Sequence, residues 1–144
     1  MAKLSICIPT FNRLHCLDKC LDSILISSKN SDLEVEVNIS DNNPIGNAQK
    51  IVNKYKKFIN IKYKVNNENI GLGKNIVNAS MMASGDFSWI IGNDDLMLPD
   101  TFSKLSIMFK KYRDVNFFYI NSYHLDSKYV FDEDSNFNIE QIKF

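Results

Sequence analysis

Apolar and polar positions along this chain switch repeatedly between a period of two and a period of three to four. Leu4-Ser5-Ile6-Cys7-Ile8 is β-rich with weak alternation, and Pro9 is expected to end the strand. Leu14, Leu17, Leu21, Ile24 and Leu25 then recur at helical spacing, which predicts a helix over residues 14–26. Residues 33–40 alternate strictly as a second strand, closed by the turn signal Asp41-Asn42-Asn43-Pro44. A lysine-rich amphipathic helix follows over 47–58, and a third strand over 59–65. After a polar, glycine-containing loop at 66–73, residues 74–84 read as a helix with Gly85 as its C-terminal cap. The short apolar run 87–91 reads as a buried strand of a parallel sheet, and Pro99 as the first turn of a helix reaching residue 112. Residues 115–120 read as a fifth apolar strand, and the segment from Asp126 to Phe144 is polar and weakly ordered by pattern.

Strand and helix in strict alternation predict an α/β fold. Its sheet is mostly parallel, with helices on both faces and right-handed crossovers. The 144 residues suit one domain, expected over 1–125, with 126–144 as a polar tail. Such a chain buries a core without disulfides. No internal repeat is present.

Composition narrows the partners. Lysine plus arginine and aspartate plus glutamate number 17 each, so no basic field draws nucleic acid or anionic lipid. No apolar run is long enough to cross a bilayer, and the N-terminus lacks a signal-peptide core, which suits a cytoplasmic setting. Cys7, Cys16 and Cys20 form no disulfide-like spacing. Cys16 and Cys20 with His15 fit core filling better than a soft-metal site.

Chemistry in such a sheet belongs outside the carboxyl ends of the strands. The first end offers Pro9-Thr10-Phe11-Asn12-Arg13, the second Asp41-Asn42-Asn43, the third residues 66–73, and the fourth Asn93-Asp94-Asp95. A nucleoside diphosphate there would meet a carboxylate for its base, amides for its ribose, and Arg13 or Lys74 for phosphate. The paired acids could hold a hard divalent cation that in turn holds phosphate oxygens. Acid-rich turns also arise simply because polar residues cap strands. The absence of glycine after the first strand excludes a dinucleotide fingerprint, and no P-loop or Gly-x-Ser-x-Gly elbow is present. A phosphoacceptor domain of the signalling type would carry its acid pair after the first strand, not the fourth. A nucleotidyltransferase would want a glycine-rich basic loop after the first strand, which is missing.

Four of these segments resemble family 2 glycosyltransferases of the GT-A (Rossmann-like) fold. Ser5-Ile6-Cys7-Ile8-Pro9-Thr10-Phe11-Asn12-Arg13 resembles their opening strand, and Ile39-Ser40-Asp41-Asn42 their second-strand Asp turn. Asn69-Ile70-Gly71-Leu72-Gly73-Lys74-Asn75 resembles their Asn-x-Gly loop, and Ala83-Ser84-Gly85-Asp86 through Pro99 their metal-binding acidic strand end. The likeness covers roughly residues 3–125 and is closest to the bacterial O-antigen and capsule branch, abequosyltransferase-like enzymes among them.

The resemblance implies a nucleotide-sugar donor, a saccharide or lipid-linked saccharide acceptor, and Mn2+ or Mg2+ as cofactor. Transfer with inversion would build a cell-surface polysaccharide. Pro9, Thr10, Asn12, Arg13, Asn43, Asn69 and Gly71 are expected around the donor, with Asp41 accepting a hydrogen bond from the base. Lys74 stands where many members have arginine. Asp94 would touch ribose or phosphate and, with Asp95, ligate the metal. Asn93 replaces the first acid of the Asp-x-Asp pattern. Members usually run much longer, with the acceptor site and base beyond the fifth strand. Asp126, Asp132, Glu133 and Asp134 lie in the polar tail, and none is assigned as that base. The chain is therefore expected to be the donor-binding half, truncated after about the fifth strand and unable to transfer sugar alone. Peripheral association with the inner face of the membrane through the missing region, and a homo-oligomer, follow as further expectations. The alternative from a different class is an incomplete nucleotide-binding fragment acting only through a partner.

Overall fold

A computed structural model describes residues 3–124. Four strands and four helices alternate: β1 (Lys3–Thr10), α1 (Leu14–Lys29), β2 (Glu34–Asp41), α2 (Gln49–Tyr55), β3 (Asn60–Val65), α3 (Leu72–Met81), β4 (Phe87–Ile90) and α4 (Thr101–Lys111). The sheet is fully parallel in the order β3-β2-β1-β4. The chain steps outward from β1 to β3, then reverses to place β4 on the other side of β1. With right-handed crossovers, that reversal puts α3 on the opposite face from α1 and α2. Helices on both faces are thus a consequence of the strand order.

Register assigns the faces. Leu4, Ile6 and Ile8 stand beside Val35, Val37 and Ile39, and Leu4 and Ile6 also beside Phe87 and Trp89. They pack with Leu17, Leu21 and Ile24 of α1, Val52 and Tyr55 of α2, and Phe102, Leu105 and Phe109 of α4. The other face carries Ser5, Cys7, Glu36, Asn38 and Ser40, all fully buried. There α3 contacts β1, β2 and β4. Cys20 lies within the apolar cluster and Cys16 is fully buried, as core filling requires.

The structure corrects four expectations. Pro9 does not end β1, which runs to Thr10. β4 pairs with β1 only as far as Cys7, so the missing N–H of Pro9 interrupts no ladder on that side. Gly85 is not the cap of α3, whose C-cap is Met82. A Cβ on Gly85 would come within 2.6 Å of the Lys3 carbonyl oxygen, so the glycine serves a close backbone approach. β4 is a half-buried edge strand, with Ile90 48% exposed on the same face as Cys7. Residues 115–120 are not a strand. Their aromatic and β-branched content suits a half-buried pleated surface, but only Phe118 finds one, packing against Phe87 and Phe109 at 5.5 and 5.2 Å between ring centres. The boundary at residue 125 and the carboxylates of Asp126, Asp132, Glu133 and Asp134 lie outside the described residues.

Candidate functional site at the junction of β1 and β4

Strand order reverses between β1 and β4, and open α/β sheets leave their ligand crevice at that switch point, beyond the carboxyl ends. Here the crevice is bridged twice. Asn93 Nδ2 donates to Thr10 Oγ1 at 2.9 Å, and Arg13 Nη1 donates to Asp94 Oδ2 at 2.9 Å. Two successive residues of the loop after β1, Asn12 (φ 55°) and Arg13 (φ 45°), both adopt the left-handed conformation. That conformation is uncommon for side-chain-bearing residues and costly when two occur in succession. It is held from outside: Asn43 Nδ2 and Asn47 Nδ2 both donate to Asn12 Oδ1, at 2.9 and 3.1 Å.

The acidic turn is shaped by Gly92. Its N–H donates to Asp95 Oδ2 at 2.6 Å, and its carbonyl accepts from the Asp95 N–H at 3.2 Å, closing a four-residue turn. A Cβ on Gly92 would lie 2.5 Å from Asp94 Oδ1 and 3.2 Å from Asp95 Oδ2. Both carboxylates therefore converge over a spot only glycine leaves open. Asp95 is exposed and Asp94 partly so, whereas Asn93 is buried against Thr10.

Among the described residues no three His, Cys, Asp or Glu side chains gather as a metal site. Two convergent carboxylates fit a hard cation that takes its remaining oxygens from a bound diphosphate and water. Asn93 directs its amide nitrogen to Thr10.

The second and third strand ends form an amide lattice. Asn42 Oδ1 accepts from the Ile70 N–H at 3.0 Å and from Asn66 Nδ2 at 3.2 Å, and Asn42 Nδ2 donates to Asn69 Oδ1. Asn69 Oδ1 also accepts from the Gly71 N–H at 3.0 Å, and Gly71 precedes α3 with φ 80°. Asn66 Nδ2 donates to Asn75 Oδ1 at 2.8 Å, and Asn75 Nδ2 to the Thr10 carbonyl at 3.2 Å. The lattice ties the loop after β3 to the end of β1.

Asp41 is fully buried. Its Oδ1 accepts from the Asn43 N–H at 2.9 Å; its Oδ2 accepts from Tyr63 Oη at 2.6 Å and from the Ala48 N–H at 3.3 Å. Burial, and then the hydrogen bond to Asp41, push the Tyr63 phenol above its ordinary range and keep it a proton donor. Lys74 is exposed on the first turn of α3 and makes no hydrogen bond or ion pair among the described residues.

Pro9, Thr10, Asn12, Arg13, Asp41, Asn43, Asn69, Gly71, Lys74, Asn93, Asp94 and Asp95 thus all lie at or just beyond the carboxyl ends of the strands. Hydrogen bonds link Thr10 to Asn93, Arg13 to Asp94, and Asn12 to Asn43. Sequence reasoning assigned no role to Gly92, Tyr63, Asn42, Asn66 or Asn75, although all but Tyr63 lie in the motif segments it named. Gly92 stands two residues before the first of the paired acids, a local signal that Tyr63 lacks. A cavity of about 680 Å³ lined by Leu33, Phe87, Phe109 and Tyr112 lies toward the amino ends of the strands and contains none of these residues.

Residues 5–142 match the family described as Glycosyl transferase family 2. The chain belongs to that family. Over 114 residues it is 32% identical to abequosyltransferase RfbV of Salmonella typhimurium, covering 78% of this chain and 34% of that protein. It is 36% identical over 116 residues to the GalNAc(5)-diNAcBac-PP-undecaprenol beta-1,3-glucosyltransferase of Campylobacter jejuni, covering 73% and 34%. The chain therefore spans about a third of the length of the curated relatives it matches. S. aureus TarS 1-349, solved in complex with UDP-GlcNAc, superposes with a TM-score of 0.68 at 25% identity, covering 77% of this chain and 32% of that one. The fold is accordingly the amino-terminal part of a GT-A domain.

Proposed function

We propose that this chain is the donor-binding half of a nucleotide-sugar-dependent glycosyltransferase. The sugar would pass, with inversion, to a saccharide or lipid-linked saccharide in cell-surface polysaccharide assembly. The carrying observation is the bridged junction of β1 and β4, where Arg13 meets Asp94 while Asp94 and Asp95 converge over Gly92. Pro9 and Thr10 line the nucleotide side of this junction. Asn12, Asn43, Asn69 and Gly71 shape the sugar and ribose side. Arg13 and Lys74 supply positive charge for a diphosphate, Arg as a fork and Lys as a point charge. Asp94 and Asp95 would hold Mn2+ or Mg2+, which when bound neutralises charge on the departing diphosphate. Direct displacement also needs a base within hydrogen-bond reach of the acceptor hydroxyl. No described residue is assigned that role, and it belongs to the acceptor half. With a nucleotide-sugar donor and a lipid-linked acceptor, the proposed reaction would run at the inner face of the membrane.

Calorimetric titration with nucleoside diphosphates, UDP first, tests the reading with manganese and with chelator. Affinity should rise with the metal, and Asp95→Ala should abolish most of that rise because an anionic ligand to a hard cation is lost. Equal affinity in both buffers removes the metal role, and no binding in either removes the donor site.

A further inference from the structure

The Asp41 carboxylate has no open side. It is fully buried, its Oδ1 is bound by the Asn43 N–H, and its Oδ2 by Tyr63 Oη and the Ala48 N–H. A carboxylate engaged in this way organises its own loop. The Asn43 and Ala48 amides bracket residues 43–48, and the loop folds down onto Tyr63. Gly46 makes this contact at φ 66°, where a Cβ would come within 3.0 Å of Val65 Cγ2 and 3.5 Å of Tyr63 Oη. The loop is tightened by the Ile45 N–H, which donates to Asn43 Oδ1, and by the Gly46 N–H, which donates to the Asn43 carbonyl. From there the order propagates outward. Asn43 and Asn47 hold Asn12 Oδ1, and Asn12 is the residue before Arg13, whose guanidinium meets Asp94.

We propose that Tyr63 is a positioning residue of the donor site. Its hydroxyl fixes Asp41, Asp41 fixes the 43–48 loop, and that loop holds Asn12 and Arg13 in their left-handed conformation. The affinity for a nucleoside diphosphate then depends on a phenol that touches no part of the nucleotide. The inference rests on the donor-site reading. The short Tyr63–Asp41 bond, the glycine-only contact over it and the chain of amide contacts to Arg13 carry it.

The test measures UDP, CDP and GDP affinities in manganese buffer for the unmutated chain, Tyr63→Phe, Asp41→Asn and the double variant. Tyr63→Phe removes one oxygen and should fold, as near-ultraviolet circular dichroism will report. It should weaken all three nucleotides by about tenfold and in equal proportion, the scale of one lost hydrogen bond to a charged group. The double variant should bind no more weakly than Asp41→Asn alone, because the two residues act in series. Unchanged affinity in Tyr63→Phe, even with a lowered melting temperature, overturns the proposal and leaves Tyr63 as packing. If the unmutated chain binds no nucleotide, the donor-site reading fails together with this one. If it binds and Tyr63→Phe is unaffected, this proposal fails alone.

Discussion

The two faces of the sheet are held together by different forces, although the same strands make both. On the side of α1, α2 and α4, even-numbered β1 residues and odd-numbered β2 residues build an apolar cluster closed by Phe102. On the α3 side, the intervening residues are Ser5, Cys7, Glu36, Asn38 and Ser40. There Glu36 is fully buried, accepting from Ser5 Oγ, from the Ser84 N–H and from Ser84 Oγ at 2.7–2.8 Å, with Lys3 Nζ at 2.9 Å and Lys62 Nζ at 3.2 Å. Burial alone would push its carboxyl up. The bonds from Lys3, Ser5 and Ser84 outweigh burial and hold it well below the ordinary carboxylate range. The apolar face gains by excluding water and tolerates small rearrangements. The polar face gains only while every partner stays in place. The lesson is that the sheet's stiffness need not come from its oily side.

The largest effect should come from the apolar face. Phe102→Ala should cost about 3–5 kcal/mol by chemical denaturation, the range for an aromatic ring removed from a closed core. Glu36→Ala should cost less, about 2–3 kcal/mol, because Ser5 and the Ser84 N–H lose their acceptor while the partly exposed lysines rehydrate. A cost for Glu36→Ala above that for Phe102→Ala would invert the comparison. The polar face also has a pH signature that the apolar face lacks. Because folding lowers the Glu36 pKa below its ordinary 4.5, its contribution is complete above that value and disappears as pH falls through it toward the folded value. The unmutated chain should therefore lose stability on acidification more steeply than Glu36→Gln, as paired urea titrations between neutral and acidic pH will show. The smallest effect should come from the exposed ion pair of Lys104 with Asp100, whose side chains are 70% and 53% accessible. Lys104→Ala should change stability by less than about 0.5 kcal/mol. A larger loss there would mean that charge pairing matters here without burial.

The contrast between the faces also explains what could be read in advance. β2 and β3 were legible because alternation survives where one face is buried and the other is polar, as in Glu34-Val35-Glu36-Val37. The positions of Thr10, Asp41, Asn93 and Asp94 at one end followed from counting parallel strands. Strand edges were harder. Pro9 seemed a terminator because its harmlessness depends on how far β4 extends alongside it, which is a fact about residue 90 and not residue 9. Residues 115–120 have strand-like composition but no ladder partner, and composition does not reveal partners. Tyr63 was invisible because its role depends on register. β3 aligns Val65 with Asp41, which sets Tyr63 two residues back on the same face, within reach of the carboxylate. Glu36 read as the polar half of an alternating strand. That it is buried between two lysines required knowing where α3 and Ser84 would lie.

The two left-handed residues after β1 set selection for heat resistance against selection for ligand capture. Asn12 and Arg13 each store strain of order 1–3 kcal/mol, and a glycine at position 13 would release part of it. A search for hardier variants would therefore enrich Arg13→Gly. A search for nucleotide binding would discard it, because the guanidinium facing Asp94 goes with the side chain. The same codon would drift in opposite directions under the two regimes, and that divergence would reveal that the strain at this bend is kept for use.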